Sequence, residues 1–193
     1  MSRKGVILSL VLVGLICLIP KQIDFRNQKE HPVMNLPHSL RQRNWVAGRG
    51  WNGSCVVASM VSLLRWQGKP KMASYLRSKY GGGQDYYGWR ATLDSEGIIY
   101  ASTYRSNNVA FLEKAVATRR GCMVGVAPYE KENAPKHMVC LVDLTSTRAC
   151  ILDNNQTDAY IWVDRDDFLA EWESSGSWAL TPVYTPTSPR IPK

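Results

Sequence analysis

The order of apolar and polar positions predicts a helical first half for the folded part of the chain. Apolar residues recur at helical spacing from Cys55 to a stop at Gly68, on the stripe Val56, Val57, Met60, Val61 and Leu64. Further helical patterns follow at residues 71–80, 87–96 and 109–119, with a strand-like run at 97–102. Glycines close the helical patterns, as is common at helix C-termini. Residues 55–119 are therefore predicted to be mainly helical.

The second half has the pattern of a sheet. Continuous apolar or alternating runs predict strands at residues 122–127, 137–144, 149–153 and 159–163, and residues 166–172 return to a short helical pattern. Residues 183–193 are rich in proline and are predicted to be a loosely held tail. Helices first and an antiparallel sheet second predict an α+β fold.

The N-terminus has the pattern of a targeting segment. Fifteen uncharged residues, 5–19, follow Arg3 and Lys4. This is the length of a signal-peptide core and is shorter than the roughly 20 residues of a full membrane span. Because no small-x-small cleavage site follows, residues 1–20 are predicted to be an uncleaved signal anchor, with a removed signal peptide as the alternative. We expect a membrane-anchored protein with its domain outside the cytoplasm, or else a secreted one.

Charge and composition divide the chain further. The formal net charge is +8, and residues 1–49 carry eight Lys/Arg against two acids, so the remainder is nearly neutral. Residues 21–45 are polar and contain Pro32 and Pro37, which predicts a basic linker arm before a domain at 46–182. A basic arm suits an anionic membrane surface, whereas a nucleic-acid-binding protein would carry its basic patch on the folded domain. We therefore expect a lipid-surface contact and no nucleic-acid partner.

The cysteines give no metal pattern. There are five, at positions 17, 55, 122, 140 and 150, and their spacing fits neither a zinc site nor a dense disulfide framework. Cys122, Cys140 and Cys150 lie in apolar runs and are interpreted as small buried residues. Export would allow a disulfide among these three, and the sequence does not name the pair.

Three residues can be combined into a catalytic group. His137 opens one predicted strand and Asp153 ends the next, and the two strands form a hairpin around residues 145–148. Antiparallel pairing then places His137 and Asp153 at the same edge of the sheet. Cys55 begins a helix, where the dipole favours a thiolate. His137 could act as base and then acid, Asp153 could fix its tautomer, and the Cys55 N–H could stabilise an oxyanion.

The same segments resemble a known family. The stretch "NGSCVVASMVSLLRWQG" resembles the nucleophile helix of papain-like cysteine peptidases. "RGCMVGV", "HMVCLVDL", "CILDN" and "DFLAEW" resemble the double-glycine (bacteriocin-processing) peptidase branch, including the sixteen-residue step from His137 to Asp153. The resemblance covers about residues 40–182. It implies a papain-like fold with the active site between a helical half and a sheet half, and no metal or organic cofactor.

One position departs from the family pattern. The family places a glutamine, the side-chain oxyanion donor, six residues before the cysteine, where this chain has Arg49. Arg49 and Asn52 are the candidates to replace it. Trp51, Trp89 and Asn154 are candidates to line a substrate groove, with core or lid packing as the alternative for the tryptophans. Asn154 also competes with Asp153 for the third catalytic role, and strand phase favours Asp153.

The leading hypothesis is a membrane-anchored thiol peptidase that hydrolyses a peptide or protein substrate through an acyl-enzyme. Two alternatives use the same fold. One is a weakened or inactive domain that binds peptides, which Arg49 favours, and the other is an acyl transferase or amidase. If Cys55 has a purely structural role, its replacement by serine would affect stability alone.

Overall fold

The computed structural model describes residues 31–45, 53–128 and 135–186, and it shows helices on both faces of one antiparallel sheet. The helices are α1 (Cys55–Trp66), α2 (Pro70–Lys79), α3 (Tyr86–Ser95), α4 (Val109–Ala117) and α5 (Arg165–Ser174), with a 3₁₀ turn at His38–Leu40. The strands are β1 (Tyr100–Thr103), β2 (Cys122–Pro128), β3 (Pro135–Leu144), β4 (Arg148–Leu152), β5 (Ile161–Asp164) and β6 (Ala179–Pro182). Their order in the sheet is β1-β6-β2-β3-β4-β5. The predicted α+β fold class is confirmed.

Alternation along the strands divides the core into two layers. On β2 and β3, Met123, Met138 and Cys140 face a cluster with α1, whereas Cys122 and Val139 face a second cluster. The first cluster contains the side chains of Met60, Leu64, Trp66 and Trp89. The second contains Leu112 of α4 with Phe168 and Trp172 of α5. Because both faces of the sheet are covered, its central strands are apolar on both sides and lack a polar face.

Strand β6 was not predicted from the sequence. It lies between β1 and β2, pairing Tyr100 with Pro182 and Met123 with Leu180. It has only four residues, and all four are buried, so it has neither the length nor the polar alternation that identifies a strand. The start of the predicted loose tail is also held, because the Tyr184 backbone N–H donates to Gln67 Oε1 at 2.8 Å. Residues 187–193 lie outside the described part.

Residues 31–45, here called the strap, pack against the domain. Sequence analysis placed them in a linker arm, but Met34 and Leu36 are fully buried. The Met34 N–H donates to the carbonyl of Val142 at 3.1 Å, and the Val33 N–H donates to Asp143 Oδ2 at 2.8 Å. The strap is therefore part of the domain. Met34 and Leu36 stand among prolines and polar residues, so they form no periodic apolar pattern that would predict their burial.

We expect a Met34→Ala substitution to destabilise the domain by about 2–5 kcal/mol, because it removes a fully buried side chain from the core. For a domain of this size that corresponds to a fall in Tm of roughly 5–15 °C. The control is Val33→Ala, since the neighbouring Val33 side chain is 46% exposed. Thermal unfolding by circular dichroism measures both variants. Equal Tm values for the two would mean that the strap is not anchored in the core.

Candidate active site

Cys55 is the first residue of α1 and lies half-buried at the end of the helix that faces the sheet edge. The preceding Ser54 is fully buried. Its side chain does not cap the helix; its hydroxyl donates to Asn44 Oδ1 at 2.6 Å and accepts from the Trp45 N–H at 3.0 Å. The start of α1 is thus held by the strap. A thiol at this position receives the favourable end of the helix dipole.

His137 and Asp153 meet at one edge of the sheet. His137 Nε2 donates to Asp153 Oδ1 at 2.8 Å, with 19% and 22% of the two side chains exposed. The Asn155 N–H donates to the same carboxylate oxygen at 2.8 Å. Since Nε2 is bound to Asp153, Nδ1 is the ring nitrogen available to the thiol of Cys55. The sequence-based placement of His137 beside Asp153 agrees with this geometry.

The three side chains shift one another's titration. Burial raises the pKa of Cys55. The interaction with the His137 ring and its positive charge, together with the N–H groups of Met138 and Val56, lowers it by more, so the pKa of Cys55 lies below its usual value. Burial lowers the pKa of His137, but hydrogen bonds from its ring to Asp153 and Cys55 raise it to about 9. Burial also raises the pKa of Asp153, and the hydrogen bond from His137 more than reverses this. Each partner thus favours the charged form of the other: His137 favours the thiolate of Cys55, and Asp153 and Cys55 favour the imidazolium of His137.

Asn154 lies beneath the site and not in a groove, which differs from its expected position. It is 3% exposed, and its Nδ2 contacts three oxygens: Met138 O at 2.7 Å, Ser59 Oγ at 3.1 Å and Cys55 O at 3.2 Å. The side-chain amide therefore bridges the first two turns of α1 and the residue after His137. Its Oδ1 is buried with no hydrogen-bond partner among the described residues.

The other predicted site residues divide into two groups. Trp89 is fully buried in the core, edge-on to Tyr80 with ring centroids 6.3 Å apart, so the structure supports the core alternative for this residue. Arg49, Trp51 and Asn52 lie outside the described residues. Sequence reasoning missed Asn44, Ser54 and Ser59, because single polar residues contacting the site from distant segments leave no spacing pattern.

The remaining described cysteines are inert by position. No disulfide joins Cys122, Cys140 and Cys150, and all three are buried. Cys122 and Cys140 face opposite sides of the sheet, and burial raises the pKa of Cys140 to about 12. In the described segments, no group of three or more His, Cys, Asp or Glu side chains could hold a metal ion.

Membrane attachment is not visible in the described residues. Among residues 31–45, 53–128 and 135–186, the helices are all too short or too polar to cross a membrane. The predicted signal anchor at 1–20 lies outside these ranges.

The fold is similar to that of a solved protein. It matches the crystal structure of a protein from Bacillus anthracis that is provisionally assigned as a C39-like peptidase, with a TM-score of 0.58 and 15% sequence identity. The match covers 83% of this chain and 100% of the other. No protein-family model matches the chain, and no curated protein matches it significantly. The chain therefore has an α+β fold of the C39-like (double-glycine peptidase) type, which confirms the predicted fold resemblance.

Proposed function

We propose that this protein is a cysteine peptidase in which Cys55 is the nucleophile, His137 the acid–base and Asp153 the group that orients His137. The observation that carries the proposal is the connected series of side chains from Asp153 through His137 to Cys55. Its first step is a 2.8 Å hydrogen bond, and its last is the interaction of the His137 imidazole with the Cys55 thiol at the start of α1, which lowers the pKa of Cys55 and raises the pKa of His137. The C39-like fold supports a hydrolase of this class but, at 15% identity, not a substrate.

The chemistry follows from the pair of charges. The Cys55 thiolate attacks the peptide carbonyl carbon, so an S–C bond forms and the carbonyl electron pair moves to oxygen. When this intermediate collapses, the C–N bond breaks and the proton on His137 passes to the leaving amine. Water then adds to the thioester carbon while His137 takes one of its protons. The S–C bond breaks, releasing a carboxylic acid and restoring the thiolate and imidazolium.

The developing oxyanion needs donors at the same point. The backbone N–H of Cys55, at the positive end of α1, is suited to provide one. Arg49 and Asn52 remain the proposed sources of the second, on the basis of sequence alone. Loss of one such donor typically lowers the rate by about 100–1000-fold. The presence of Arg49 where the family has a glutamine therefore favours the second candidate function, a weakened or inactive domain that binds peptides.

We also propose that residues 1–20 anchor the domain to a membrane, on the non-cytoplasmic side. This part of the proposal is supported by the uncharged run behind Arg3 and Lys4 and by the basic residues that follow it. Transfer of the acyl group to an amine in place of water would use the same three residues and remains an alternative outcome of turnover assays.

The titration of the pair provides a test of the proposed active site. We expect the rate of Cys55 alkylation by iodoacetamide, followed by mass spectrometry, to have its midpoint well below that of the same cysteine in urea, near 8.5. The rate stays high at alkaline pH, because the thiolate persists after His137 loses its proton. Hydrolysis of a mixed peptide library instead falls above about pH 9, where the imidazolium that protonates the leaving amine is lost. Both midpoints describe the coupled pair.

Two results would decide between the candidate functions. A folded-state alkylation midpoint at or above that in urea would exclude a thiolate–imidazolium pair and with it the peptidase. A low midpoint without hydrolysis or acyl transfer in the library would favour the weakened, peptide-binding domain.

A further inference from the structure

Asn44, in the strap, contacts both sides of the proposed active site. Its Oδ1 accepts from the Ser54 N–H at 2.9 Å and from the Ser54 hydroxyl at 2.6 Å. Its backbone N–H donates to the carbonyl of Asn154 at 2.8 Å, and its Nδ2 donates to Asn155 Oδ1 at 3.2 Å. One residue thus binds the position before Cys55 and the two positions after Asp153.

The orientation of the Asn44 amide is fixed by its partners. The Ser54 N–H can only donate, so the atom facing it must be the oxygen of Asn44. The nitrogen then faces Asn155, where it meets an oxygen. Both polar ends of the side chain are therefore used, and they are used on different structural elements. A smaller or apolar residue could not make the same two contacts.

These contacts matter because the proposed catalytic residues come from different parts of the chain. Cys55 stands at the start of α1, whereas His137 lies near the start of β3 and Asp153 directly follows β4. The strap runs between them, with further contacts from the Trp45 N–H to Ser54 Oγ at 3.0 Å and from the Gln42 N–H to Ser62 Oγ at 2.9 Å. Transfer between the thiol and imidazole depends on sub-ångström placement, and a 1 Å error can lower a rate by about 100-fold.

We propose that Asn44 is a positioning residue that holds the start of α1 and the loop 153–155 together, so that the Cys55 thiol stays in contact with His137. The inference rests on the proposed function, because it assigns Asn44 a role in that same thiol–imidazole contact. Asn44 acts through Ser54 and Asn155 and does not itself touch the reacting atoms. The strap is thus a part of the active-site scaffold and not only a connection to the N-terminus.

The experiment compares Cys55 alkylation by iodoacetamide as a function of pH in the full chain and in three variants. Asn44→Ala removes all three side-chain hydrogen bonds, two to Ser54 and one to Asn155. Asn44→Asp is nearly isosteric and keeps the oxygen facing Ser54, but cannot donate to Asn155. Asn35→Ala is the matched control, because Asn35 lies in the same strap and is bonded to His31 and Tyr160, away from Cys55. Thermal unfolding is recorded for each variant.

We expect Asn44→Ala to raise the pH midpoint of alkylation by about one unit or more and to slow the reaction at pH 6 by about tenfold, since the imidazolium no longer stabilises the thiolate fully. Asn44→Asp should slow it by a smaller factor, about threefold, because the contact with Ser54 remains. Asn35→Ala should match the wild type. A purely structural contact would lower Tm without moving the midpoint of the folded protein.

The outcomes separate the two proposals. A low wild-type midpoint that Asn44→Ala leaves unchanged would overturn the positioning role while the peptidase proposal stands. A wild-type midpoint near that of an ordinary thiol would overturn both. If Asn44→Ala does not fold, the decision passes to Asn44→Asp, and a rate at pH 6 equal to that of the wild type would overturn the positioning role.

Discussion

A His137→Ala variant is expected to fold normally and to lose peptide hydrolysis by about 10³- to 10⁴-fold, because in the proposed mechanism the imidazole is both the partner of the thiolate and the acid for the leaving amine. Alkylation of Cys55 at pH 6 should fall less, by roughly 10- to 100-fold. Without His137 the thiolate fraction drops, but the thiolate that remains is intrinsically more nucleophilic. A larger loss of hydrolysis than of alkylation would indicate that His137 also donates a proton, because hydrolysis requires that step and alkylation does not.

The chain contains a matched control for this substitution. His38 Nε2 lies 2.9 Å from Asp158 Oδ1, nearly the same separation as in the His137–Asp153 pair. The His38 and Asp158 side chains are 71% and 76% exposed, so water weakens their interaction. His38→Ala should therefore change neither rate. Equal hydrolysis by the wild type and His137→Ala would contradict the catalytic role of His137, even though the fold is of the C39-like type.

The meeting of His137 and Asp153 shows what the sequence could predict. The turn at 145–148 and the apolar runs on each side were sufficient to place both residues at one edge of the sheet. The pairing is irregular, because a β-bulge between Leu141 and Asp143 shifts it by one residue, and it ends with Leu152 opposite Cys140. The contact between Asp153 and His137 is therefore completed by the chain after β4, and the hairpin register alone does not give it.

The features that sequence analysis did not predict, β6, the packing of the strap and the contacts of Asn44 and Asn154, were missed for one physical reason. Periodicity reports segments in which one face is buried, but β6 is buried on all four residues, and the strap is fixed by two apolar side chains and single hydrogen bonds. Asn44 and Asn154 are identified only when distant segments are brought together, because their partners lie 10 to 111 residues away. Long-range polar contacts of this kind leave no local pattern in one sequence.

An Asn154→Asp variant is expected to be strongly destabilised at pH 7, by about 2–5 kcal/mol, although the two side chains have almost the same shape. Asn154 Nδ2 faces the carbonyl oxygens of Cys55 and Met138 and the hydroxyl of Ser59. A carboxylate would replace this donor with a buried negative charge against acceptor oxygens. Only the Ser59 hydroxyl could turn to donate to it. Because Asn154 bridges α1 to the residue after His137, peptide hydrolysis by the folded fraction should fall as well.

The pH dependence of that loss has a definite sign. Burial among acceptors raises the pKa of the new carboxyl in the folded state, so the folded protein retains the proton after the unfolded chain, with a pKa near 3.9, has lost it. The free energy of unfolding of the variant, relative to wild type, should therefore decrease as pH rises above about 4, and acid should partly restore it, because the protonated carboxyl regains one donor. Urea unfolding at pH 4.5 and pH 7 measures this difference.

Asn108→Asp is the control for Asn154→Asp, since the Asn108 oxygen caps α4 by accepting from the Phe111 N–H, and aspartate does this equally well. That variant should unfold within about 0.5 kcal/mol of the wild type at both pH values. If Asn154→Asp behaves like Asn108→Asp, the Asn154 side chain is not the buried donor that joins α1 to β3. If only Asn154→Asp shows the pH-dependent loss, the support beneath Cys55 and His137 depends on a single amide nitrogen.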